Sequence, residues 1–171
     1  MTSDLFKETP LGKLAYSVAG AVLVLDQASK AFILHGIDLP IRQQMLVLPP
    51  FFNLTMVWNR GVSFGLLKAG ADLGRFALIA FAAFVVAILG IWARRVDRPL
   101  IAWAVGLVMG GAIGNNLIDR PIYGAVVDFL DFSGLMFPWV FNVADSAITI
   151  GVVLLLIDSL RPPKPDASKK A

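Results

Sequence analysis

Residues 124–149 read GAVVDFLDFSGLMFPWVFNVADSAIT and carry two aspartates, Asp128 and Asp145, on either side of a short apolar loop. Both acids adjoin residues that belong in or against a membrane. A carboxylate at that depth costs on the order of several kcal/mol unless it is paired or wetted, so it marks a functional site unless it is a helix-end acid facing water. Two such acids meeting in space suggest a reaction in which two carboxyl groups share one proton.

Composition sets the surroundings of that stretch. Of 171 residues, 57% are hydrophobic and 16% charged, against about 25% charged in a soluble domain, so the chain is a membrane protein. The absence of cysteine excludes disulfides, thiolate metal sites and a cysteine nucleophile. A single histidine, His35, cannot build a histidine metal cage or readily supply a Ser-His-Asp triad, and it reads as a helix-end residue at the interface. The net charge of +3 does not point to nucleic acid, because the basic residues gather in loops and tails as topology signals. No metal and no cofactor is expected.

Outward from the opening stretch, four apolar runs are long enough to cross a bilayer as helices: about 13–34, 73–92, 99–117 and 139–160. The first is a retained span rather than a signal peptide, since it carries Asp26 and Lys30 and no small-x-small cleavage site follows. Those two residues are four apart, on one face, in the acid-before-base order that favours pairing. Gly106, Gly110 and Gly114 recur every four residues and make a seam for close helix packing. Between the first two spans, Phe52, Leu54, Met56 and Trp58 alternate with Asn53, Thr55 and Val57, which reads as a strand after the Pro49-Pro50 turn. The expected fold is an all-α membrane protein, a four transmembrane helix bundle with a small extracytoplasmic β-rich segment, 38–66, between helices 1 and 2. Residues 1–161 form one integral membrane domain and 162–171 a disordered cytoplasmic tail.

Lys and Arg number nine over the N-terminal tail, the 94–98 loop and the C-terminal tail, against Arg42, Arg60, Lys68 and Arg120 on the other side, with Arg75 at a helix edge. The positive-inside rule then places both termini in the cytoplasm and both chemically loaded loops outside. At the outer ends of the spans the polar residues collect at one depth: Asp26 and Lys30, Asn59, Asn116, Asp119 and Arg120, Asn142 and Asp145. Together they argue for a shared wet pocket.

The blocks DQASK (26–30), NRGVSFG (59–65), GNNLIDR (114–120), GAVVDFLD (124–131) and FNVADSAI (141–148) resemble, in order, the signature blocks of the lipoprotein signal peptidase (signal peptidase II) family. The resemblance implies an inner-membrane aspartyl endopeptidase that cleaves lipid-modified prolipoproteins just before the diacylglyceryl-cysteine. It implies Asp128 and Asp145 as the catalytic pair, and Asp26, Lys30, Asn59, Gly61, Asn116, Arg120, Asn142 and Ala144 as pocket residues. The family usually has Gly-Asn directly before the two residues that precede Asp-Arg. Counting back from Asp119, Asn116 keeps that spacing and Asn115 stands in the glycine's place, so Asn116 is taken as the pocket amide. Prolipoprotein substrates and membrane lipids are the expected partners, nucleic acid is not, and a monomer is expected in the bacterial inner membrane.

Two carboxyls sharing a proton supply both the acid and the base that peptide hydrolysis needs. A serine–lysine dyad using Lys30 with Ser63, Ser133 or Ser146 is the enzymatic rival, and it leaves the two aspartates unexplained. The non-enzymatic rival is a small proton-coupled transporter, which would place its acids at midplane between internal repeats. Asp26 and Lys30 are expected to order the pocket, and replacing both by apolar residues should be milder than replacing either.

Overall fold

The computed structural model describes residues 9–61 and 71–161. The expected tail 162–171, the basic N-terminal Lys7, and residues 62–70 with the end of the NRGVSFG block, Ser63 and Lys68 lie outside the described residues. The fold is mostly helical with a small antiparallel sheet, and among the described residues three helices are long and apolar enough to cross a membrane: 10–36, 72–93 and 99–123.

Helix α1 (Pro10–Ala31) opens with Pro10 in the first turn and Thr9 as its cap, whose Oγ1 accepts the Gly12 N–H at 3.0 Å. It runs on into a π-helical turn, Phe32–Gly36, then a four-residue helix α2 (Leu39–Arg42). After strands β1 (Gln44–Leu48) and β2 (Phe52–Asn59) come α3 (Ala71–Ala93) and α4 (Pro99–Ala112). Helix α4 continues as a π-helical segment, Ile113–Asp119, into a last turn α5 (Arg120–Tyr123). Strands β3 (Val126–Asp131) and β4 (Val140–Phe141) precede α6 (Val143–Ser159), which has 17 residues.

Glycine lets the helices meet closely. A Cβ on Gly106 would stand 2.5 Å from Ala15 O and one on Gly110 2.6 Å from Ala19 O, so the four-residue seam takes the backbone of α1. Gly111 takes Ala144 O in the same way at 2.5 Å, and Gly151 takes Ala104 O at 2.7 Å, which brings α6 against α4. The core between these helices is small and apolar, with Ala15, Ala19, Val105 and Met109 buried.

The sheet order is β1-β2-β3-β4, all antiparallel. It is larger than the expected segment between the first two spans: two of its four strands come from between α5 and α6. Strand β3 escaped the period-2 test because nearly all its residues are buried; a strand covered on both faces reads as a continuous apolar run. For the same reason α6 begins at Val143 rather than near Trp139, since Val140 and Phe141 pair with β3. At the far end of the sheet Phe132, Leu135, Phe137 and Phe141 line an apolar cleft of about 360 Å³.

Candidate active site

Register brings the first acid into place. Asp128 on β3 pairs with Val57 on β2, and Asn59 is two residues beyond Val57, on the same face of the strand. Asn59 Nδ2 therefore reaches Asp128 Oδ2 at 2.9 Å. The amide cannot turn round, because its Oδ1 accepts the Gly61 N–H at 2.9 Å. Gly61 has φ +91°, a conformation that suits glycine, and a Cβ there would come within 2.7 Å of Leu78 and 3.3 Å of Arg120 Nη1.

A capping box places the second acid. Asn142 caps α6, its Oδ1 accepting the Asp145 N–H at 2.8 Å while Asp145 Oδ2 accepts the Asn142 N–H at 3.2 Å. With its oxygen held this way, Asn142 turns its Nδ2 to Asp128 Oδ1, at 2.7 Å. One residue thus touches both aspartates. Asp128 is 1% exposed and Asp145 half-buried, so water reaches the pair from the Asp145 side. Burial, and after it the negative charge of Asp145, push the Asp128 carboxyl up to about 7, against the pull of the Asn59 and Asn142 hydrogen bonds and of Lys30.

The amide that reaches Asp145 is Asn115, not Asn116: Asn115 Nδ2 donates to Asp145 Oδ1 at 2.7 Å, and its Oδ1 accepts from Lys30 Nζ at 2.7 Å and Asn142 Nδ2 at 3.1 Å. Asn116 accepts instead from Arg120 Nε at 2.9 Å. The family spacing counted back from Asp119 selects Asn116, but in this π-helical segment it is Asn115 that faces Asp145. The wider turn points both amides at the pocket from adjacent positions. Arg120 is 6% exposed, its Nη1 has no hydrogen-bond partner among the described residues, and its charge acts on Asp128, Asp119 and Asp145.

Beneath the pair lies a buried ion cluster. Lys30 Nζ stands 2.7 Å from Asp26 Oδ2 and 2.7 Å from Asp119 Oδ2, so its expected two-member pair is a three-member cluster. Gln27 Nε2 donates to both acids, at 3.1 Å and 3.0 Å. Asp119 also accepts the Val127 N–H at 3.1 Å, which ties the π-helical segment to β3, and Asp26 the Ala144 N–H at 3.0 Å, which ties α1 to α6. Ala144 is fully buried, its carbonyl against Gly111 and its Cβ towards Gly114. Asp119 thus pairs directly with Lys30, while Arg120 acts on it only through its charge.

The sequence residues named for the pocket accordingly gather in one place, with Asn115 and Gln27 added. The signal for Gln27 was its position inside the DQASK block; for Asn115 it was the doubled Asn. Lys30 has three acceptors and is 2% exposed, which leaves it no lone pair for a serine. Ser146 Oγ donates to Asn142 O, and Ser133 is exposed. Two other buried acids have structural partners. Asp131 accepts from Thr55 Oγ1 at 2.5 Å and the Ser133 N–H at 2.9 Å, bonds that hold its carboxyl below the usual carboxylate range. Asp158 bridges to Arg98 at 3.0 Å at the opposite end of the bundle.

The comparisons with known proteins agree with one another. The model of a family described as Signal peptidase (SPase) II matches residues 18–161. The chain is similar to the lipoprotein signal peptidase of Caulobacter vibrioides, 53% identical over 151 residues that cover 88% of this chain and 89% of that one. It is also similar to that of Methylorubrum extorquens, 50% identical over 143 residues covering 83% and 82%. A solved structure described as a bacterial membrane enzyme determined in meso at 1.9 Å resolution superposes with a TM-score of 0.75 at 30% identity, covering 92% of this chain and 98% of that one.

Proposed function

Because the chain belongs to the signal peptidase II family, we propose that it is an intramembrane aspartyl endopeptidase of the bacterial inner membrane. It removes signal peptides from diacylglyceryl-modified prolipoproteins just before the lipidated cysteine. The observation that carries the reading is Asn142, whose side chain and backbone bond both Asp128 and Asp145 while each acid receives a further amide N–H from a separate element.

In this mechanism the pair holds one proton, carried on Asp128, whose raised affinity suits it to donate near neutral pH. Asp145, nearer the solvent, takes a proton from water as the water oxygen attacks the scissile carbonyl. Asp128 gives its proton to the carbonyl oxygen. As the tetrahedral gem-diol collapses and the C–N bond breaks, one of its hydroxyl protons returns to Asp128, and the leaving nitrogen receives the proton from Asp145. Arg120, whose Nη1 has no hydrogen-bond partner among the described residues, would meet a substrate carbonyl. No cofactor enters the scheme.

Helix α6 serves as the fourth span. Both termini face the cytoplasm, and the sheet and the acid pair sit at the periplasmic surface, where the lipid of a substrate stays in the bilayer while its peptide bond reaches water. The protein acts as a monomer on this reading. The transporter alternative has no support from the family. The test is cleavage of a purified lipidated prolipoprotein by Asp128→Asn and Asp145→Asn proteins. Each should stay folded and lose cleavage, the two losses should not add, and a folded variant with near-wild-type cleavage would refute the reading.

A further inference from the structure

Asn115 is not needed to account for the proton, yet it stands where the ion cluster meets the acid pair. It is 4% exposed. An amide can sit either way round by shape alone, and only its partners decide. Lys30 Nζ can only donate, so the oxygen of Asn115 must face it, at 2.7 Å, and the nitrogen must then face Asp145 Oδ1, also at 2.7 Å. The same oxygen accepts from Asn142 Nδ2 at 3.1 Å, and Asn142 in turn bonds Asp128.

We infer that Asn115 is a positioning residue for the hydrolysis: it aims an N–H at Asp145 in a direction fixed by Lys30, and so holds one oxygen of that carboxylate as an acceptor. This rests on Asp128 and Asp145 being the hydrolytic pair. Through Asn115 the ion cluster sets the orientation of the acid that meets water, although the Lys30 ammonium is bonded to neither Asp128 nor Asp145. The charged groups around it are Asp26 and Lys30 on α1, Asp119 and Arg120 at the end of the third span, Asp128 on β3 and Asp145 on α6, with Arg75 of α3 beyond Gly124.

Asn115→Asp keeps the shape and the acceptor for Lys30, and at pH 8 it replaces the donor that faces Asp145 with a carboxylate oxygen. With purified protein and lipidated prolipoprotein, kcat at pH 8 should fall at least about tenfold, the scale of one lost hydrogen bond to a charged group, with KM within about twofold. On lowering the pH towards 5 the introduced carboxyl gains a proton, donates it in place of the amide N–H, and kcat relative to wild type should recover. Asn115→Ala should lose kcat similarly with no recovery. The inference is overturned if both variants keep wild-type kcat, if Asn115→Asp shows no relative recovery, or if activity merely follows the folded fraction. If instead Asp128→Asn remains active, it is the reading of the acid pair that fails.

Discussion

Asp128 is a residue that the fold would hold more cheaply without its charge. Its carboxyl stands at about 7 against an ordinary 3.8, so the folded protein binds this proton more tightly than the unfolded chain does. Stability from this group is therefore greatest below pH ~4 and declines as pH rises through ~7, by up to about 4 kcal/mol at ~1.4 kcal/mol per unit. Thermal melting in detergent should show wild type losing stability between pH 5 and 8, and Asp128→Asn should flatten that dependence. The same group sets the activity: the rate should fall as pH rises through about 7, because the donor is then lost. A wild-type rate that climbs steadily to pH 9 would remove Asp128 from the role of acid.

Among the elements, α1, the π-helical end of α4, β3 and α6 are joined at Lys30 and its acids, and this changes what a pair replacement does. Removing Asp26 and Lys30 together was expected to be mild, but it strands Asp119, which is fully buried. Lys30→Met alone leaves two buried carboxylates and should cost about 3–5 kcal/mol, visible as a lower melting temperature. Restoring stability should require neutralising Asp119 as well as Asp26, and rescue by Asp26→Leu alone would contradict the cluster. What could be read beforehand had a local signature: apolar runs, the alternation of Phe52–Trp58, the four-residue glycine spacing, and acids at membrane depth. What could not be read was set by tertiary contact. Strand β3 lacks alternation because both faces are covered. The inward turn of Asn115 depends on a π-helical ladder that no propensity announces. Asp119 becomes a partner of Lys30 only once β3 has laid the Val127 N–H beside it.

For the whole molecule, the proposed orientation makes a direct prediction in a chain with no cysteine of its own. A cysteine at the exposed Leu135 should react with an impermeant thiol reagent added from the periplasmic side, and one at Asp97 should not; the reverse pattern would invert the topology. The shortness of α6 carries a consequence of its own. Its 17 residues rise ~26 Å, against a hydrocarbon layer of about 30 Å. With α6 as the proposed fourth span, the lipids around it would have to stretch less or the surface dip to meet its ends, and the end with Asp145 is the one that needs water. A dimple in the membrane beside the acid pair would bring water down to a substrate still rooted among the lipid tails. Reconstituted into bilayers of increasing acyl length, the enzyme should then slow as the sheet of lipid thickens, while its melting temperature changes little. The reach of the enzyme is in this sense a property of the bilayer that it deforms.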